Sequence, residues 1–280
     1  MTELDRLSPR QRELVEGWLP GLEVEEDLSW GLVETVVLRV QHDGRLLTVK
    51  AGGEHDSHLG REITTHEQWL RPWTDLGRAP ELLHADRAAR VLVATYLPGR
   101  LVLDDPAVDA PDTYLQAGRL LALLHGQPGQ LDEDYESRET AKSLAWLDEP
   151  HRIVPEIEAR LRSEIASWPA PPAVLVPTHG DWQPRNWLIH DGVVSIIDFG
   201  RGALRPAMSD LARLEVQDFR RDPAWEAAFF EGYGPDPRDP DAWHRTAVRE
   251  AIGTAVWAFR VGDEPFEAQG HRMISDALGR

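Results

Sequence analysis

His179-Gly180-Asp181-Trp182-Gln183-Pro184-Arg185-Asn186 follows the apolar run Val174-Leu175-Val176 and leads straight into Trp187-Leu188-Ile189. Asp191-Gly192 then turns the chain, and Val193-Val194-Ser195-Ile196-Ile197 runs back to Asp198-Phe199-Gly200. Short apolar runs separated by Asp-Gly predict a β-hairpin. Asp181 and Asn186 then lie on the loop before the hairpin and Asp198 at its far end. Three oxygen-bearing side chains converge despite the gap in sequence.

Upstream of that stretch the expected order is helix, strand, strand, helix, strand. Ser8-Pro9-Arg10-Gln11 carries an N-cap serine, a proline at the first helical position and a capping-box glutamine, which opens a helix to Trp18. Ser29 to Val40 and Arg45 to Lys50 flank the turn His42-Asp43-Gly44. Gly60 to Arg71 reads as a helix stopped by Pro72, and Arg90 to Tyr96 as a strand closed by Leu97-Pro98-Gly99.

Downstream of Gly99 the pattern turns helical. Asp112 can cap a helix to His125 with Gly126 after it, and residues 128–150 read as a polar connection. Further helices are expected at 151–168, 207–220, 223–232, 240–261 and 265–278. No repeat or low-complexity tract interrupts this order.

Composition narrows the function classes. The formal net charge of −18 disfavours a nucleic-acid partner; it would draw in a cationic one, and it fits an acidic surface that keeps the chain in solution at least as well. No apolar run approaches membrane length, and Met1 to Arg12 lack the pattern of a signal peptide. The absence of cysteine excludes disulfides, thiolate zinc sites and a cysteine nucleophile, and fits a reducing cytoplasm. Of the 30 basic residues only Lys50 and Lys142 are lysines. Lys50 ends the strand Leu46-Leu47-Thr48-Val49, an unusual choice in a chain that otherwise uses arginine.

Phosphoryl transfer needs this set of groups. A carboxylate orients the attacking hydroxyl and accepts its proton, a role that suits Asp181. Magnesium takes hard oxygen ligands, which Asn186 and Asp198 supply. Lys50 offers a point cation to the α- and β-phosphates of a nucleoside triphosphate, and a helix carboxylate, Glu62 or Glu67, would hold it in place. A metal-dependent hydrolase using His179, Asp181 and Asp198 lacks a second nearby histidine and leaves Lys50 without a role. A serine hydrolase lacks Gly-x-Ser-x-Gly. His179 reads as a brace for the loop, and Trp182 and Trp187 as packing residues.

His-Gly-Asp, four residues, Asn and then Ile-Asp-Phe-Gly resembles the catalytic loop and metal motif of the aminoglycoside phosphotransferase family, relatives of the eukaryotic-type kinases. The resemblance covers residues 25–215 in the same order. It implies an α+β, two-lobed protein-kinase-like fold, with an N-terminal antiparallel-sheet lobe (1–97) and a mostly helical C-terminal lobe (98–280). Within it, Thr48-Val49-Lys50 resembles the nucleotide-lysine strand. Arg61-Glu62 resembles the start of the helix that carries the lysine's partner, which favours Glu62 over Glu67. Val93 to Gly99 resembles the hinge, where backbone groups of Thr95 and Leu97 would meet adenine. Leu28 to Glu34, with Ser29 and Gly31, stands where the phosphate-covering loop is expected, although it has a single glycine. The implied cofactors are Mg²⁺ and ATP or GTP.

The implied activity is O-phosphorylation of a cationic antibiotic, an aminoglycoside or a tuberactinomycin-type cyclic peptide. A metabolic kinase for homoserine, choline, a fructosamine or a sugar is the alternative. In this family the helices after the metal motif contribute to the acceptor pocket. Some of Glu215, Asp218, Glu231, Asp263, Glu264 and Glu267 are therefore expected to face the substrate.

Overall fold

The computed structural model describes residues 3–29 and 34–279. Ser8 opens helix α1 (Pro9–Trp18) with a complete capping box: its hydroxyl accepts from the Gln11 N–H, and the Gln11 side chain accepts from the Ser8 N–H. The chain continues through β1 (Glu23–Asp27), β2 (Val36–His42), β3 (Arg45–Ala51), α2 (Leu59–Gln68), α3 (Arg71–Thr74), β4 (Leu82–Asp86) and β5 (Val91–Thr95). These strands form one antiparallel sheet in the order β1-β2-β3-β5-β4.

Asp43 and Gly44 join β2 to β3 with φ of +49° and +73°. That left-handed pair matches the twist of a two-residue hairpin and sets His42 opposite Arg45.

Three expectations change in this region. The strand expected from Ser29 begins only at Val36. β1 and β4 are additional strands, and the sequence gives β1 no apolar alternation because its residues are acidic and largely exposed. Pro72 does not stop a helix running to Arg71. α2 ends at Gln68, and Pro72 sits in the first turn of α3, where its missing N–H costs no helix bond.

Both faces of the sheet are covered. Leu38, Val40, Val49, Val91 and Val93 bury one face with Val15 of α1. Leu92 and Ala94 bury the other against Leu59 and Ile63 of α2. β5 is thus enclosed on two sides, which explains its uninterrupted apolar run. Lys50 lies between Val49 and Ala51, so strand alternation points it toward the α2 face.

The remaining elements are β6 (Arg100–Leu101), α4 (Pro111–His125), β7 (Gln130–Asp132), α5 (Tyr135–Asp148), α6 (Pro155–Ser167), β8 (Ala173–Thr178), β9 (Trp187–His190), β10 (Val193–Ile196), β11 (Ala203–Arg205), α7 (Ala212–Leu214), α8 (Pro223–Tyr233), α9 (Pro240–Val261) and α10 (Glu264–Leu278). α4 starts one residue before Asp112, with Pro111 at its first position. Asp112 then serves the helix N-terminus by charge rather than as its cap. The polar stretch expected as a connection contains a four-turn helix, α5, whose buried residues include Glu136 and Ser143. The helix expected at 207–220 is broken into a 3₁₀ turn, α7 and a π-helical turn.

By internal contacts the chain forms two compact units. One comprises Met1–Gln127, Pro177–Ala203 and Ala224–Gly234; the other comprises Pro128–Val176, Leu204–Pro223 and Pro235–Arg280. The first unit holds the five-stranded sheet and the β9–β10 hairpin. The second is built on the long helix α9, whose Val248, Ile252 and Val256 pack with Leu161 and Ile165 of α6 and Ile274 of α10. Among the described residues no helix is long and apolar enough to cross a membrane.

Candidate active site

Asp181, Asn186, Asp198, Lys50 and Glu62 all belong to the first compact unit. Glu62 shares the inner stripe of α2 with Leu59 and Ile63, at the i+3 and i+4 spacing that puts residues on one face. It is therefore buried and meets Lys50, whose Nζ lies 2.6 Å from Glu62 Oε2 and 3.0 Å from Asp198 Oδ1. Glu67, five residues further along α2, is exposed and pairs with Arg87 at 2.5 Å. The Lys50 ion pair thus goes to Glu62 and not to Glu67.

Burial alone would push the Lys50 ammonium down, but Glu62 and Asp198 outweigh it and hold it above the ordinary lysine value. Burial pushes the Glu62 carboxyl up while Lys50 pulls it back. Lys50 holds Asp198 below its ordinary value. The Asp198 carboxylate is 51% exposed, so one side of it stays open while the other is fixed. Its φ is +64°. A non-glycine residue in that region carries strain of roughly 1–3 kcal/mol.

The catalytic-loop segment is held from within. Gly180 has φ +79°, a conformation that favours glycine and accounts for the middle residue of His-Gly-Asp. His179 is buried; its Nε2 donates to the Ile197 carbonyl at 3.1 Å and its Nδ1 accepts from the Asp181 N–H at 3.3 Å. Both ring nitrogens therefore serve the backbone, as a brace requires, and the His179 ligand set of a hydrolase is not assembled. Trp182 and Trp187 are buried in a ring cluster with Trp73, His179 and Phe199. They pack the floor of the loop and offer no stacking surface.

Asp181 is buried and held from several sides. Gln183 Nε2 donates to its Oδ1 at 2.5 Å, while Arg185 and Asn186 donate to its Oδ2 at 2.6 and 2.9 Å. Asn186 Nδ2 also donates to the Asp181 carbonyl at 2.7 Å. The amide NH₂ of Asn186 is thus spent on the loop, and its carbonyl oxygen is the atom of metal-ligand type.

Among the described residues no three His, Asp or Glu side chains converge to hold a metal by themselves. Asn186 and Asp198 instead offer two hard oxygens. That set fits magnesium, which commonly takes one or two protein oxygens and completes its shell with water and phosphate.

The segment after Asp198 is tied to the helix that carries Glu62. The Gly200 carbonyl accepts from Arg61 Nε at 3.1 Å and lies 3.2 Å from His58 Nδ1. A Cβ at Gly202 would stand 2.1 Å from Thr65 Oγ1, so α2 approaches here closely enough to demand glycine. Lys50, Glu62 and Asp198 are positioned together for this reason.

The other expected residues fall as follows. Thr95 ends β5, where its N–H donates to the Glu81 carbonyl at 2.9 Å and its hydroxyl accepts from the Glu81 N–H at 2.8 Å. Leu97 lies just beyond the strand, outside the ladder. The Ser29 hydroxyl accepts from the Val37 N–H at 2.9 Å and so joins its segment to β2. Gly31 lies outside the described residues.

Several acids expected to face a cationic substrate are otherwise engaged. Glu215 pairs with Arg238 at 2.8 Å, and buried Glu267 with Arg152 at 3.3 Å. Asp263 caps α10 by accepting from the Phe266 N–H. Sequence reasoning missed Gln183 and Arg185. Their signal was their place inside the loop motif, two and four residues after Asp181.

No curated protein matches the sequence significantly. Among solved structures, a thermostable mutant of aminoglycoside phosphotransferase APH(4)-Ia, in ternary complex with ADP and hygromycin B, superposes with a TM-score of 0.71 at 13% identity, covering 97% of this chain and 98% of that one. Choline kinase LicA from Streptococcus pneumoniae gives 0.67 at 17% identity, with 96% of each chain covered. Spectinomycin phosphotransferase APH(9)-Ia, in complex with ADP and spectinomycin, gives 0.61 at 13% identity, covering 95% and 96%. These likenesses show a kinase-like phosphotransferase fold. Residues 33–247, well over half of the chain, match the phosphotransferase enzyme family (APH), and the protein belongs to that family of small-molecule phosphotransferases.

Proposed function

We propose that the protein transfers the γ-phosphoryl of ATP or GTP to a hydroxyl of a cationic antibiotic, an aminoglycoside or a tuberactinomycin-type cyclic peptide, and so confers resistance in the cytoplasm. Residues 1–97 serve as the nucleotide-binding lobe and 98–280 as the catalytic and substrate-binding lobe. The observation that carries the phosphotransfer reading is Lys50 held between Glu62 and Asp198 at 2.6 and 3.0 Å.

Asp181 orients the acceptor hydroxyl and accepts its proton as the oxygen attacks phosphorus. Lys50, fixed by Glu62, meets the α- and β-phosphates. Asn186 and Asp198 hold magnesium, which neutralises charge on the phosphate oxygens. Backbone groups of Thr95 and Leu97 meet adenine, and Ser29 and Gly31 contribute to binding the nucleotide.

The antibiotic assignment rests on the family together with the net charge of −18. The alternative, a metabolic kinase for homoserine, choline, a fructosamine or a sugar, shares the chemistry, and solved kinases of both kinds share the fold. A nucleotide-consumption screen against aminoglycosides, cyclic peptide antibiotics and small amino-alcohols separates the two. The expected result is consumption with a polycation, with kcat/KM falling steeply between low and physiological salt, mainly through KM. Turnover only with a neutral or zwitterionic metabolite, flat with salt, overturns the antibiotic assignment.

A further inference from the structure

Arg185 takes no part in the roles above, yet its Nη2 donates to Asp181 Oδ2 at 2.6 Å. It stands on the single turn Pro184–Asn186. Pro184 restricts the start of that turn, and the Asn186 N–H closes it on the Gln183 carbonyl at 2.9 Å. The backbone under Arg185 is therefore fixed to the same loop as Asp181. Its side chain is 41% exposed, against 4% for Asp181, so the guanidinium reaches from the buried carboxylate out to solvent.

A neutral donor is enough to hold a carboxylate oxygen here, as the Gln183 amide does at Oδ1. What the guanidinium adds is charge and a planar fork of further N–H donors. A hydroxyl oriented by Asp181 lies about 3 Å from it, with the phosphorus about 3–3.5 Å further on. The equatorial oxygens of the transferring group, where its negative charge is spread, thus pass within the span of a guanidinium that touches the same carboxylate. Of the other cations on these elements, Lys50 is placed on the α- and β-phosphates and Arg61 donates to the Gly200 carbonyl.

We propose that Arg185 is the cation that meets the phosphoryl group in flight, a proposal that rests on the phosphotransfer reading above. One N–H stays on Asp181 while others turn to the equatorial oxygens. The bond from the acceptor oxygen to phosphorus forms, and the bond to the bridging oxygen of the nucleoside diphosphate breaks. The hydroxyl proton passes to Asp181. Arg185 neither gives nor takes a proton.

The test is calorimetric titration of the full chain with Mg·ADP, with and without aluminium fluoride, a planar stand-in for the transferring group. Wild type, Arg185→Gln and Arg185→Lys are compared. Mg·ADP affinity should stay within about twofold in all three. The extra affinity conferred by aluminium fluoride should fall about 10- to 100-fold in Arg185→Gln, less than a fully enclosed arginine would lose, and return in large part in Arg185→Lys. The proposal is overturned if Arg185→Gln keeps the full gain, if it weakens both complexes equally, or if lysine restores nothing. It is also overturned if aluminium fluoride fails to tighten Mg·ADP on the wild type. A wild type that does not bind Mg·ADP at all removes the phosphotransfer reading itself, and this proposal with it.

Discussion

In the first compact unit a cation, Lys50, sits between two carboxylates, Glu62 and Asp198. In the second a carboxylate, Glu136, sits between two cations, Arg245 and Arg249, each at 2.9 Å. The second cluster is closed. Glu136 and Arg245 are buried on α5 and α9, and the Arg249 guanidinium lies 5.2 Å from the Trp168 ring. The first ends in a half-exposed carboxylate on a residue with a left-handed backbone. Burying charge is therefore no mark of a reaction site, since both clusters do it. What separates them is the open edge of one member and the strain at that same residue. A helix-to-helix tie has no use for either.

The largest effects should separate the clusters by kind. Asp181→Asn should lower kcat by on the order of 10²–10⁴ while leaving Mg·nucleotide affinity nearly intact. Asp198→Ala should instead weaken Mg·nucleotide binding directly, as read by titration. Near-normal kcat in Asp181→Asn on the true acceptor would remove the base assignment.

Glu136→Gln should act on stability alone. It leaves the buried Arg245 guanidinium and the partly buried Arg249 guanidinium without their carboxylate, a loss worth about 3–5 kcal/mol. Denaturant unfolding should show that loss, with Mg·ADP affinity unchanged in the folded protein. Weaker nucleotide binding at unchanged stability would mean that the closed cluster is not merely structural.

The two clusters also differ in how far the sequence revealed them. Lys50, Glu62 and Asp198 were legible because each sits on a periodic element or beside a turn. Lys50 is a rare lysine at the end of an apolar strand, the resemblance of Arg61-Glu62 to the family's helix favours Glu62, and an Asp-Gly turn returns the chain to Asp198. The capping box at Ser8 and the helix at 240–261 were legible on the same grounds.

α5 was not. Its buried face includes Glu136 and Ser143, so it lacks the apolar stripe of an amphipathic helix. Glu136 is tolerable inside only because Arg245 and Arg249 lie against it from more than a hundred residues away. The pairing of Glu215 with Arg238 and of Glu267 with Arg152 escaped notice for the same reason. A polar group satisfied by a distant partner leaves no local pattern.

The smallest expected effect concerns what the open cluster does to its surroundings. His66 stands one helical turn beyond Glu62 on α2, with its ring edge-on to Phe199 at 5.1 Å and its buried Nδ1 without a hydrogen-bond partner. Burial pushes its pKa down to about 4, and the Lys50 charge acts in the same direction. The unfolded chain takes up this proton near pH 6.5, whereas the folded chain refuses it until about pH 4. The stability tied to the neutral ring is therefore complete above pH 6.5. It drains away as the pH falls toward 4 and levels off below it, for a total of roughly 3 kcal/mol or slightly more. Carboxylates titrate over part of the same range, so the informative quantity is a difference between two proteins. Unfolding free energies of wild type and His66→Leu, measured from pH 7 to pH 4, should show the wild type losing about 2–3 kcal/mol more. Parallel curves would mean that the folded chain accepts this proton despite the burial of the ring and the Lys50 charge beside it.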